Sequence, residues 1–260
     1  MENFTLEKAD GHLVACVSEI PDHPKGIAIA VHGFTSSKES STVQLLLQRL
    51  PEAGIGVIGI DLPAHGTGVS KEEELRIKAC MDSLEAAEKK AVSLCPDVPV
   101  FYFASSFGAY ITSLYITERA HKGRRAFFRS AAVNMPSLFE IDRKHPTEIE
   151  RELLEELDRK GYIQPSFDLG SPIKVTKAML DDLASNNLFE KFAPDRYGSH
   201  QIAMAHGAAD QVIDPEAAAK FARQFDLPIT FFEGEGQSLS DHPDTPDKVA
   251  ALAVRLFLQA

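Results

Sequence analysis

Val100-Phe101-Tyr102-Phe103-Ala104-Ser105-Ser106-Phe107-Gly108-Ala109-Tyr110 is the stretch whose reading decides the rest of the chain. An apolar, aromatic-rich run stops at two serines. After Gly108 a helix-compatible segment continues through Ile111, Leu114, Tyr115 and Ile116. The pattern predicts a buried strand, a sharp turn with Ser106 at its apex, then a helix. Such a turn lifts a serine oxygen clear of the sheet edge. The next backbone N–H then lies at a helix N-terminus, where negative charge is stabilised. The motif written for such turns is G-x-S-x-G, and here Ala104 stands in the first position. Ala still permits close packing of strand on helix. Alone, the stretch also fits a core strand that ends in a serine-rich turn.

Outward from it, short apolar runs alternate with helical patterns. Gly26–Val31 and Ile55–Leu62 are too short and too uniformly apolar for anything but strands buried on both faces. Leu13–Ile20 completes a strand pair within the first twenty residues. Ser41–Leu50 reads as a helix closed by Pro51 and Gly54. Glu72–Leu94 reads as a long amphipathic helix with Leu75, Cys80, Leu84, Ala87 and Ala91 on one face. A strand is expected over Ala126–Met135. From about Ser137 to Gly198 the rhythm breaks into charged helices, Glu148–Lys160 and Lys174–Asn186, the first with an apolar stripe of Ile149, Leu153, Leu154 and Leu157. It resumes with strands at Gln201–Ala205 and Pro228–Phe232, a helix at Pro215–Gln224 and a final helix at Thr245–Leu258. The fold class expected is α/β: a mainly parallel central sheet with helices on both faces. Residues 1–136 and 199–260 form the core, and 137–198 a helical cap or lid insertion. The Gly-containing turns after the strands then share one rim, where ligands of such sheets bind.

Composition narrows the function classes. In 260 residues, 38 acidic against 27 basic side chains give a net charge of −11, which argues against nucleic-acid partners and anionic membranes. Cys16, Cys80 and Cys95 are odd in number, lack metal-ligand spacing and read as buried free thiols. No signal-like N-terminus or membrane-length apolar run is present, so the cytoplasm is the expected compartment. No metal or other cofactor is expected: there is neither a phosphate-cradling Gly loop nor a His/Cys/Asp cluster.

Four loop motifs taken together resemble the α/β-hydrolase superfamily, and among its members small lidded carboxylesterases of the bacterial cinnamoyl and feruloyl esterase type. They are Val31-His32-Gly33-Phe34, Asp61-Leu62-Pro63-Ala64-His65-Gly66, the Ser106 turn, and His206-Gly207-Ala208-Ala209-Asp210. The resemblance implies a small-molecule ester substrate and Ser106 as the nucleophile. It also implies an oxyanion hole from the backbone N–H groups of Phe34 and Phe107, and Asp210 as the acid that orients a histidine base. His32, His65 and His206 are implied to be structural. Asp210 also fits a plain Asx turn.

One element of the pattern is missing. The superfamily's triad runs Ser, Asp, His, with the His expected in a small-residue loop after the last strand. Here that loop reads Gly234-Glu235-Gly236-Gln237-Ser238, so Gln237 stands where the resemblance implies the histidine. Glutamine donates and accepts hydrogen bonds but does not take up a proton near neutral pH. His242, the only later histidine, is a substitute base only if its loop folds back. The expectation is therefore a serine hydrolase of carboxylic esters with impaired turnover. Alternatives are a non-catalytic ligand-binding protein, whether natural or an engineered inactive variant, or a peptidase or thioesterase on the same scaffold.

Overall fold

The computed structural model describes residues 1–66, 74–142, 144–165, 173–194 and 201–259. In chain order its strands are β1 (Glu2–Glu7), β2 (Leu13–Glu19), β3 (Gly26–Val31), β4 (Ile55–Ile60), β5 (Val100–Ser105), β6 (Gly123–Arg129), β7 (Tyr162–Ile163), β8 (Val175–Thr176), β9 (Ile202–Gly207) and β10 (Ile229–Phe232). Eight form one sheet in the order β1-β2-β4-β3-β5-β6-β9-β10. Pairing is antiparallel for β1 with β2 and for β2 with β4, then parallel from β4 to the β10 edge. The mainly parallel α/β architecture is thus as expected.

β3, β4 and β5 are buried along their whole length, which is why their sequences are continuously apolar rather than alternating. Their side chains divide by parity between two cores. Ile27, Ile29, Val31, Tyr102 and Ala104 meet α2 (Ile77–Leu94), α3 (Phe107–Glu118) and α7 (Pro215–Gln224) on one face. Ala28, Ala30, Phe101 and Phe103 meet α1 (Ser41–Glu52) and α8 (Thr245–Phe257) on the other. In α2 the expected stripe of Cys80, Leu84, Ala87 and Ala91 is buried. Its described start is Ile77, where Arg76 clamps Asp182 through two hydrogen bonds of 2.7 and 2.9 Å. Thr67, Gly68, Glu72, Glu73, Ser166, Gly198 and His200 lie outside the described residues.

The expected strand Ala126–Met135 is corrected. β6 ends at Arg129, Ser130 turns into the left-handed region at φ 46°, and Met135–Phe139 is a 3-10 turn. The cause is a tertiary contact: Ala132 N–H donates to Ser106 O at 3.2 Å, which bends the chain over the serine turn instead of letting it run on.

Between β6 and β9 lie α4 (Glu148–Lys160), the antiparallel pair β7–β8, α5 (Lys177–Ala184) and α6 (Leu188–Lys191). α4 opens with a capping box between Thr147 and Glu150 and closes at Gly161, φ 79°. Of its expected stripe only Leu157 is buried, and Ile149 is 71 % exposed. α5 starts later than Lys174 because Val175 and Thr176 pair with Ile163 and Tyr162. Among the described residues no helix is long and apolar enough to cross a membrane. The three cysteines are free, and Cys95 is only partly buried.

Candidate active site

Ser106 sits between β5 and α3 with φ 50° and ψ −116°, a conformation that L-residues rarely adopt. Such strain costs about 1–3 kcal/mol and persists only where neighbours impose it. Here Ser106 N–H donates to Arg129 O at 2.9 Å, and its carbonyl accepts from Ala109 and Ala132 N–H. Gly108 is required sterically. A Cβ there would lie 2.4 Å from His32 O and 2.6 Å from Val31 O, so only glycine lets α3 press against the end of β3. Phe107 opens α3, and its N–H is one of the first-turn donors that no helical carbonyl can reach.

The loop after β3 brings Phe34 against Phe107, ring centroids 5.6 Å apart and edge to face. Two buried histidines hold that loop. His32 Nδ1–H donates to Gly33 O at 2.8 Å, and its Nε2 accepts from Leu62 N–H at 3.0 Å, which fixes the tautomer. His65 Nδ1–H donates to Pro63 O at 2.8 Å. Burial pushes their pKa values down to about 3 and about 4, so both rings are neutral near pH 7. The structural part implied for both is what the geometry shows.

At the end of β9, Asp210 accepts from Val212 N–H at 2.8 Å and Ile213 N–H at 3.0 Å. The Asx turn is therefore real, but it leaves the carboxylate facing the rim. Buried His206 buttresses it, with Nε2 at 3.2 Å from Asp210 Oδ2 and 3.1 Å from Ile213 O. Gly207 lets the loop after β10 close in: a Cβ there would lie 2.3 Å from Glu235 O and Gly236 O.

That loop carries Gln237 into the space between Asp210 and Ser106. With its NH₂ toward the carboxylate, the amide donates to both Asp210 oxygens, at 3.2 Å to Oδ1 and more closely to Oδ2. Its carbonyl accepts the Ser106 hydroxyl at 2.9 Å. This orientation gives every donor an acceptor. The result is a continuous chain, Ser106–Gln237–Asp210, with an amide at its centre. His242 is not brought into it. Its Nδ1 and backbone N–H bind Glu235 Oε1 at 2.8 and 2.9 Å, and its side chain is 59 % exposed. Burial pushes the Glu235 carboxyl up, but hydrogen bonds from Thr245, Asp241 and His242 outweigh it and hold the pKa at about 2.

Ser106 and Gln237 line two recesses. One is a small apolar hollow of about 40 Å³ under Met135, Leu138 and Ile213. The other is a cleft of about 880 Å³ running toward α1, lined by Ser41, Thr42 and Arg129. Sequence reading missed Arg129 and Glu235. A charged residue directly after the apolar Phe127-Phe128 was the available signal for the first. Among the described residues no group of three or more His, Cys, Asp or Glu side chains is placed to hold a metal ion.

Comparison with known proteins fits this geometry. The family model described as serine aminopeptidase, S33, matches residues 22–191, a span that includes Ser106 and stops short of Asp210 and Gln237. No curated protein sequence matches significantly. Among solved structures, the chain is similar to a protein of Agrobacterium vitis S4 whose assignment as a hydrolase is itself provisional (TM-score 0.76, 17 % identity, 99 % of this chain and 98 % of that one). It is also similar to Est1E from Butyrivibrio proteoclasticus with ferulic acid bound (0.74, 15 %, 98 % and 100 %). A third is a thermostable carboxyl esterase from Bacillus coagulans in complex with glycerol (0.69, 14 %, 97 % and 96 %). At these identities the likeness carries the fold. With a family model matched over more than half its length and the sheet and Ser106 turn described above, the chain belongs to the serine aminopeptidase (S33) family of α/β hydrolases.

Proposed function

We propose that this protein is built to bind carboxylic esters at Ser106, with Ser106 the nucleophile and Asp210 the acid, and that it turns them over poorly because Gln237 fills the place of the general base. The observation that carries this is the Ser106–Gln237–Asp210 hydrogen-bonded chain. In a working site, the base takes the serine proton as Oγ attacks the carbonyl carbon. The negative charge then gathers on an oxygen facing the N–H groups of Phe34 and Phe107. An amide oxygen accepts the Ser106 hydroxyl but is far too weak a base to remove its proton. The segment between β6 and β9 is proposed as a cap, and Leu138 from its start lines the apolar hollow beside Met135.

Esters are favoured over peptides on chemical grounds, although the family description names an aminopeptidase. An amine leaving group must be protonated as it departs, and the Gln237 amide is far too weak an acid to supply that proton. An alkoxide or phenolate leaves more readily, so ester cleavage is the chemistry that best survives loss of the base. A second reading, a receptor that no longer cleaves anything, is favoured by the same closed network, because Gln237 pairs both neighbours. The two separate in one experiment. Gln237→His is assayed against a p-nitrophenyl ester panel, and the hydrolase reading expects activity to appear. No gain from a folded variant contradicts it.

A further inference from the structure

Ester chemistry leaves Arg129 without a task. Arg129 ends β6, in register with Ser105 of β5 and Ala205 of β9. Its side chain lines the 880 Å³ cleft and also a side pocket of about 250 Å³ between α1 and α8. A guanidinium carries five N–H donors. Among the described residues, its one hydrogen bond runs from a terminal nitrogen to Ser238 O. Among the described residues no carboxylate forms an ion pair with it. Asp210 is committed to Val212, Ile213 and Gln237, and Glu235 to Asp241 and His242. Both act on Arg129 only through space, and burial still pushes its pKa down to about 10. Asp241, which also lines the cleft, is held by Gly236 N–H at 2.7 Å.

The rest of that wall is polar: besides the Asp241 carboxylate it carries hydroxyls, of which Ser240 Oγ donates to Ser238 Oγ at 2.9 Å. Ser41, Thr42, Ser238 and Ser240 present hydroxyls to the space that Arg129 shares. Ser41 and Thr42 also open α1, where first-turn N–H groups have no helical acceptor. Arg129 is only partly buried, and a planar fork with unspent donors is matched by a planar anion that reaches it from the cleft.

We propose that the cleft takes a carboxylate carried by the substrate, with Arg129 as its partner, so that the ester bound at Ser106 is a half-ester or acyloxy acid rather than a neutral ester. This rests on the ester reading of Ser106 and adds which esters are chosen. The test is calorimetric titration of the native chain with two matched pairs: monoethyl succinate against ethyl butyrate, and 3-acetoxypropanoate against propyl acetate. The anionic member of at least one pair binds about 10-fold or more tightly, the scale of one charge-assisted hydrogen bond. Arg129→Gln reduces that preference to within about 2-fold, while Arg129→Lys keeps part of it. Equal binding within both pairs, a preference that survives Arg129→Gln, or no binding by any of the four overturns the inference. Should Arg129→Gln not fold, the same pairs turned over by Gln237→His decide it. A lower KM for the anionic member at similar kcat is expected, and equal KM values contradict it. Failure of the ester reading is distinct: Gln237→His then turns over neither member, whatever the native chain binds.

Discussion

Replacing Gln237 by histidine puts an ionisable ring where the amide now bridges Ser106 and Asp210. The amide carbonyl already accepts from Ser106 Oγ at 2.9 Å, inside the 2.6–3.2 Å reach that proton transfer needs. Its nitrogen already meets the Asp210 carboxylate, so the frame that would orient an imidazole is in place. In another serine hydrolase, loss of the histidine costs on the order of 10⁶ in turnover, or about 8 kcal/mol of barrier. Full recovery would require every distance to be retuned, so the expected gain in kcat is at least about 10³-fold. KM should change only a few-fold, because the base acts in the transition state rather than in ground-state binding. The assay is initial-rate hydrolysis of p-nitrophenyl acetate and butyrate from pH 5 to 9. The new activity should rise with pH through a value near the ordinary histidine pKa of about 6.5. It should vanish in Gln237→His/Ser106→Ala. A folded Gln237→His with less than about 10-fold gain, or a gain that survives loss of the serine hydroxyl, refutes the reasoning.

Two further outcomes follow from the same geometry. Ser106→Gly and Ser106→Ala both delete the hydroxyl bonded to Gln237, but only glycine relaxes the φ 50° strain. Relief of about 1–3 kcal/mol, less about 0.5–1 kcal/mol for glycine's extra freedom when unfolded, leaves Ser106→Gly up to about 2 kcal/mol more stable than Ser106→Ala by urea unfolding. A more stable Ser106→Ala would show that the turn is unstrained. For pH, His32 and His65 have folded pKa values of about 3 and about 4, below the ordinary 6.5. Near pH 5 the unfolded chain therefore holds about two protons on them that the folded chain does not. Their effect is a loss of stability as pH falls below 6.5, complete near their folded values. Urea midpoints at pH 7, 5.5 and 4.5 check this, and a midpoint that rises toward pH 4.5 contradicts it.

Most of the sheet was legible because strands buried on both faces have no polar alternation to disguise them. The turn at Ser106 and the loop that carries Asp210 were legible because each lies in a short contiguous motif. The sequence reading failed where tertiary contacts overrode local pattern. The run Ala131-Ala132-Val133 is apolar enough to extend β6, yet hydrogen bonding to Ser106 O bends it away. Ile149 matches the helical spacing of the α4 stripe but meets no core. Gln237 stands where the resemblance implies a histidine, while only the folded loop reveals that its amide spans Asp210 and Ser106. His242 was ambiguous for a similar reason, since Glu235, seven residues earlier, reads as a turn residue until the loop folds around it. Arg129 fell inside the expected strand Ala126–Met135 and had no motif around it to mark it. Its place on the cleft wall depends on the register with Ser105, which no local pattern states.

The central claim is that Ser106 is positioned for attack but lacks a base. Intact-mass and peptide mapping after timed fluorophosphonate treatment test it most directly, on the native chain, Gln237→His and His242→Ala in parallel. The account predicts rapid labelling of Ser106 in Gln237→His, and Ser106 unmodified over the same interval in the native chain and in His242→Ala. Rapid labelling of Ser106 in the native chain would contradict it, and loss of that labelling in His242→Ala would name His242 as the base.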